Sequence, residues 1–168
     1  HYTLPAVHHD RARLDSVELL PFKRYIYDGY AGVMTGHLYV PALDKARNKP
    51  VSMSRAVVTD LLQKELGFRG LCFTDALAMK GATTRKSDNP SVMALLAGND
   101  ILLAPAAPIN DFAAVKEALE EGILDREEIE AKIIKILQYK YIAGLNDYRP
   151  VETKGLSERL NSPHAEWL

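Results

Sequence analysis

The chain has 168 residues, 47% hydrophobic and 26% charged, with a formal net charge of -1. That length can support one domain with a real core, and the near-neutral balance, without any run of basic residues, gives no electrostatic basis for holding nucleic acid or an anionic membrane. No uninterrupted apolar stretch reaches the roughly 18 residues that a membrane-spanning helix needs.

The single cysteine, Cys72, cannot close an internal disulfide and sits in an apolar run, which predicts a buried, inert thiol. That is compatible with a reducing compartment but does not separate cytoplasm from periplasm. The opening His1-Tyr2-Thr3-Leu4-Pro5 is no signal peptide, although an excised or mature chain would have lost one.

Residues 1–14 are polar and read as loop. His8, His9 and Asp10 invite a metal reading, but adjacent side chains point apart and no third ligand follows at a recognised spacing, so a solvated loop is expected. Asp15 and Glu18 stand at capping-box spacing ahead of Leu19, Phe22 and Ile26, with Pro21 either opening the helix or kinking it and Gly29 closing it. Gly32 to His37 reads as a strand, and Pro41 ends any ladder. Ser52 or Ser54 is expected to cap a helix carrying Val57, Val58, Leu61, Leu62 and Leu66, which Gly67 stops.

Next comes a short apolar run, Leu71 to Phe73, leaving Gly70 and ending on Thr74-Asp75, too short for a helix and fitting a buried parallel strand. A polar loop spans 81–89. Asn89 and Pro90 open a helix that Gly98 ends, and Asn99 to Leu103 reads as a third strand closed by Pro105 and Pro108. Asp111 begins a further helix ending at Gly122. Asp125 and Glu128 cap the longest helix, whose Ile129, Ile133, Ile134, Leu137 and Tyr141 keep helical spacing to Gly144. Beyond Asn146 the pattern weakens, leaving Leu156, Leu160, Trp167 and Leu168 as a docking arm.

Strand alternating with helix predicts a parallel α/β fold, where chemistry gathers at the carboxyl ends of strands. Asp75 and His37 fall at that level. Either could equally be structural, Asp75 as a turn cap and His37 as a supporting residue. Three strands are too few for a closed (β/α)8 barrel of roughly 250 residues. The chain is therefore expected to be part of a larger fold, or to have its sheet edges covered by a second copy in a homodimer or by the missing half of the barrel.

Taken in order, His1-Tyr2-Thr3-Leu4-Pro5, Glu18-Leu19-Leu20-Pro21-Phe22, Val33-Met34-Thr35-Gly36-His37, Pro41-Ala42-Leu43-Asp44, Glu65-Leu66-Gly67-Phe68, Thr74-Asp75-Ala76-Leu77-Ala78-Met79 and Ala97-Gly98-Asn99-Asp100 resemble glycoside hydrolase family 3, in its β-N-acetylglucosaminidase branch. The likeness runs to about Gly144. It implies a partial TIM-type (β/α)8 barrel: the sixth to eighth strands in about three C-terminal βα units, a long C-terminal helix and an irregular tail. Residues 1–145 would be the C-terminal portion of the catalytic domain, and 146–168 a linker or docking tail toward a missing domain. On this view the chain is cut at both ends.

The resemblance implies a carbohydrate substrate, with peptidoglycan fragments met in recycling as one candidate, and no cofactor or metal. Asp75 would be the nucleophile and His1 the general acid/base, while His37, Met79 and Asp44 would line the pocket. The family's Asp two residues ahead of that His is not in this sequence, nor is its Lys-His-Phe-Pro-Gly-His-Gly segment. The chemistry is coherent: a retaining glycosidase needs one carboxylate to attack and a second group to carry the proton both ways, and imidazole, titrating near about 6.5, suits the second task. The related β-glucosidase branch takes its acid from another domain, which His1 ahead of Leu4-Pro5 argues against. The isolated chain is expected to turn over little substrate.

Overall fold

A computed structural model describes residues 3–82 and 88–161. Its centre is a parallel pair of strands, β1 (Gly32–Thr35) and β2 (Leu71–Thr74), in register from Gly32 opposite Leu71 to Thr35 opposite Thr74. Val33 and Cys72 face one another in that register and join Val58, Leu62, Phe68 and Ala97 in the main apolar cluster. The expected burial of Cys72 holds: it has no exposed surface, and burial pushes its thiol pKa up. The fold is α/β, with helix dominating by residue count.

The third predicted strand is reduced to a bridge. Ile101 pairs in parallel with Phe73, and Thr74 N donates to Ile101 O at 3.0 Å. On either side, side chains replace the ladder. Asp100 Oδ2 accepts the Cys72 amide at 2.8 Å, and Thr74 Oγ1 accepts the Leu103 amide at 2.9 Å. An amide hydrogen bonded to a side chain is not available to a neighbouring strand, so β2 has a full partner only in β1.

Helices begin partly where the sequence places them. Asn89 Oδ1 accepts the amides of Ser91 and Val92 to cap α3 (Pro90–Ala97), and Asp125 Oδ1 accepts Glu128 N at 2.9 Å ahead of α5 (Arg126–Ile142). Two expectations change. The first helix is capped by Asp10, not Asp15: Asp10 accepts Arg13 N at 2.7 Å, and the chain runs from α1 (Arg11–Arg13) through a π-turn (Leu14–Glu18) into α2 (Leu20–Tyr27). Asp15, inside that run, pairs with Arg11 and Lys23. Neither Ser52 nor Ser54 caps the π-wound helix Ala56–Glu65, because both hydroxyls are spent on other side chains. The last helix before α5, α4 (Pro108–Glu120), starts earlier than Asp111, whose carboxylate reaches back to the Ala107 amide at 3.3 Å.

The chain divides into two compact units, His1–Ile136 and Leu137–Leu168, with the division falling inside α5. The apolar stripe predicted for α5 packs only at its start: Ile129 lies against Leu95, Ala118 and Leu124, whereas Ile133, Ile134, Leu137 and Tyr141 are all at least half exposed. In the second unit, α6 (Leu156–Leu160) has no buried residue, while Trp167 and Leu168 lie outside the described residues. Within the first unit an apolar cleft of about 240 Å³ opens between α2, β1 and the Ala56–Glu65 helix, walled by Leu14, Phe22, Val33, Met34, Leu38 and Leu61.

Gly98 ends α3 at φ +112°, a conformation that L side chains rarely adopt, and a Cβ there would lie 2.4 Å from Thr59 Oγ1. Thr59 is itself held, donating to Ala97 O at 2.8 Å. Gly98→Ala is therefore expected to lower unfolding free energy by about 2 kcal/mol or more. Urea titration followed by circular dichroism checks this, and an unchanged midpoint would refute it.

Candidate active site

Asp75 follows β2 directly, at its carboxyl end. Its amide donates to Thr35 O at 2.9 Å, which extends the β1–β2 pairing by one step and fixes where the side chain leaves the backbone. The residue is partly exposed, and Oδ1 accepts the Ala76 amide at 2.8 Å. Among the described residues Oδ2 has no hydrogen-bond partner. A carboxylate with one oxygen tethered and the other open can act as a nucleophile or as an acceptor for a ligand hydroxyl.

His37 lies two residues past β1 and is only 4% exposed. Ser52 Oγ lies 2.7 Å from its Nδ1, and its Nε2 lies 3.1 Å from Ala76 O. The structure thus brings His37 to the residue immediately after Asp75. The same Ala76 carbonyl accepts Met79 N at 3.0 Å, so Met79 closes a turn on it and remains half-buried. Ala78 N donates to Ala104 O, and Ala104 stands at φ +40°, an uncommon conformation for a residue with a side chain.

The loop after β2 folds back over His37. A Cβ on Gly81 would lie 3.3 Å from His37 Cβ and 3.2 Å from Thr3 O, so no larger residue fits without displacing one of them. This contact, with the bridge of Ala6 to Tyr39, brings the segment from Thr3 to Val7 beside the residues that follow β1. His1 lies outside the described residues. His9 approaches Glu18 at 4.0 Å, and among the described residues no three His, Cys, Asp or Glu side chains gather as a metal site.

Asp44 is committed to structure. Its carboxylate accepts from Ser54 Oγ and the Ala46 amide and lies 3.6 Å from Lys49 Nζ. Burial by itself raises its pKa, yet the Ser54 hydroxyl, the Ala46 amide and the Lys49 charge together hold it below the ordinary carboxylate value.

Three buried residues that the sequence analysis gave no site role complete the surroundings. Asn99 has no exposed surface; its Oδ1 accepts Thr35 Oγ1 at 2.7 Å, and its Nδ2 donates to Ser52 O at 2.7 Å and to Ala94 O at 2.8 Å. The available signal was polar residues where apolar ones belong: Ser52 beside Met53, and Asn99 ahead of Ile101-Leu102-Leu103.

Because the folded pKa of Asp44 is depressed, its contribution to stability is present in full above the unfolded value, about 3.9, and is lost as pH falls through the lower folded value. Urea midpoints measured from pH 7 down to pH 3 should fall less steeply in Asp44→Asn than in the unaltered chain. Identical slopes would remove the assignment.

The model of the glycosyl hydrolase family 3 N terminal domain matches residues 1–139. Beta-hexosaminidase A of Pseudoalteromonas piscicida is 32% identical over 160 residues, covering 83% of this chain and 27% of that protein. The Beta-N-acetylglucosaminidase/beta-glucosidase of Cellulomonas fimi is 27% identical over 153 residues, covering 84% of this chain and 27% of that one. Among solved structures, a glycoside hydrolase family 3 beta-N-acetylglucosaminidase from Paenibacillus sp. str. FPU-7 superposes with a TM-score of 0.81 at 32% identity, covering 90% of this chain and 30% of that chain. The chain thus spans less than a third of the length of these relatives. With the family model matching most of its length, this chain belongs to glycosyl hydrolase family 3.

Proposed function

We propose that this chain is the C-terminal part of a (β/α)8 barrel that hydrolyses terminal β-linked N-acetylglucosamine with retention of configuration. The observation that carries the reading is Asp75: a partly exposed carboxylate just past the carboxyl end of a parallel strand, held through its own backbone by the neighbouring strand. The named hexosaminidase relatives support the sugar.

Asp75 Oδ2 attacks the anomeric carbon, and the bond to the leaving oxygen breaks as that oxygen takes a proton from His1. His1 then removes a proton from water, which attacks the same carbon and releases Asp75. The Thr3 segment lying against Gly81 supports His1 in this role, since His1 stands two residues ahead of it in sequence. Met79, in the turn after Asp75, is proposed to border the sugar. The exposed Met34 side chain on β1 and the apolar cleft beside it support a further strand and its helix lying there in the complete barrel. The isolated chain is expected to be inactive.

The Cellulomonas fimi relative, named for two activities, favours a second reading in which β-glucosides are also substrates. With the barrel complete, an aryl β-N-acetylglucosaminide should be cleaved faster than the matching β-glucoside. Asp75→Ala should reduce turnover of both by at least about 10³-fold, and a 2-fluoro glycoside should add covalently to Asp75, as read by peptide mass. Full activity in Asp75→Ala would sink the nucleophile assignment. A faster glucoside rate would favour the second reading.

A further inference from the structure

The bonds around Asp75 form a closed circuit. Asp75 N donates to Thr35 O, Thr35 Oγ1 to Asn99 Oδ1, and Asn99 Nδ2 to Ser52 O. Ser52 Oγ reaches His37 Nδ1, His37 Nε2 reaches Ala76 O, and Ala76 N returns to Asp75 Oδ1. Thr35, His37, Ser52 and Asn99 are all buried, so water does not compete for the Thr35–Asn99 and Ser52–His37 bonds.

The circuit decides a hydrogen position. A carbonyl oxygen only accepts, so His37 Nε2 must carry the hydrogen. In the neutral ring Nδ1 is then an acceptor, and the Ser52 hydroxyl is its donor. Both ring nitrogens are thereby used within the protein, and neither is left for a sugar hydroxyl.

We propose that His37 is a positioning residue: held as the Nε2–H tautomer, it clamps the Ala76–Leu77 peptide through the Ala76 carbonyl and so fixes Ala76, keeping its amide on Asp75 Oδ1 and Oδ2 aimed at substrate. This rests on Asp75 being the nucleophile. Without that clamp Ala76 can shift, which would carry its amide off Oδ1 and free the carboxylate to turn. A displacement of about 1 Å at a reacting atom lowers rate on the order of 100-fold.

Two substitutions divide the ring's two bonds. His37→Gln places an amide NH₂ where Nε2 stands and preserves the donor to Ala76. His37→Asn places its polar atoms nearer Nδ1, preserving contact with Ser52 alone. With the barrel complete, His37→Gln should keep kcat within about tenfold, while His37→Asn should lose on the order of 100-fold in kcat with KM nearly unchanged. Equal kcat in the two variants would overturn the proposal. Asp75→Asn is measured alongside. If it is inactive while His37→Asn is fully active, the positioning role alone fails; if Asp75→Asn is itself active, the nucleophile assignment fails. Ring-nitrogen NMR on the unaltered chain gives a readout independent of turnover and decides the matter if both variants lose their fold. Hydrogen on Nε2 and a bare, hydrogen-bonded Nδ1 that shifts in Ser52→Ala is expected. Hydrogen on Nδ1 alone would overturn the proposal.

Discussion

The side-chain amide of Asn99 holds together segments that the chain keeps far apart. It reaches Thr35 at the end of β1, 64 positions away, and the Ser52 carbonyl in the 3-10 turn Val51–Met53, 47 positions away, while also bonding Ala94 within α3. A buried amide left unpaired costs about 1–3 kcal/mol, so the presence of each segment favours the other two. This constraint explains why β1, β2 and α3 keep their geometry although the sheet has only two full strands. It also explains why Ser52 and Thr35, residues suited to caps and surfaces, are buried here.

At the next residue a second polar junction works in parallel. Asp100 Oδ2 accepts both the Cys72 amide and Lys135 Nζ, the latter at 2.7 Å, which ties α5 to the start of the Ile101 segment. A buried carboxylate is tolerable only with such partners. The Asp100 junction meets the Cys72 amide, and the Asn99 junction is the one that reaches Thr35, whose carbonyl accepts from Asp75. Precision at Asp75 thus depends on polar groups packed behind it more than on the small apolar core.

Several features of this fold fit a chain whose surfaces meet more protein. Met34 on β1 and Ile133 and Ile134 on α5 are more than half exposed, although their spacing is that of residues meant for burial. The proposal of a larger barrel accounts for them with one assumption, because a parallel sheet is ordinarily covered on both faces.

The sequence by itself determined the α/β class, the helix ends marked by Asn89, Gly67, Gly98 and Asp125, the burial of Cys72 and the place of Asp75 at a strand end. These depend on local chemistry: backbone conformations open to glycine, side chains able to cap, and apolar runs of strand length. The motif order also carried the family. Only the tertiary structure decided that Asp10 caps in place of Asp15, that Ser52 and Ser54 bond His37 and Asp44 instead of a helix end, and that the third strand shrinks to a bridge. In each case the winning partner lies far away in sequence or competes with an equally good local one. Spacing along a chain cannot choose between two acceptors when folding alone brings one of them within 3 Å.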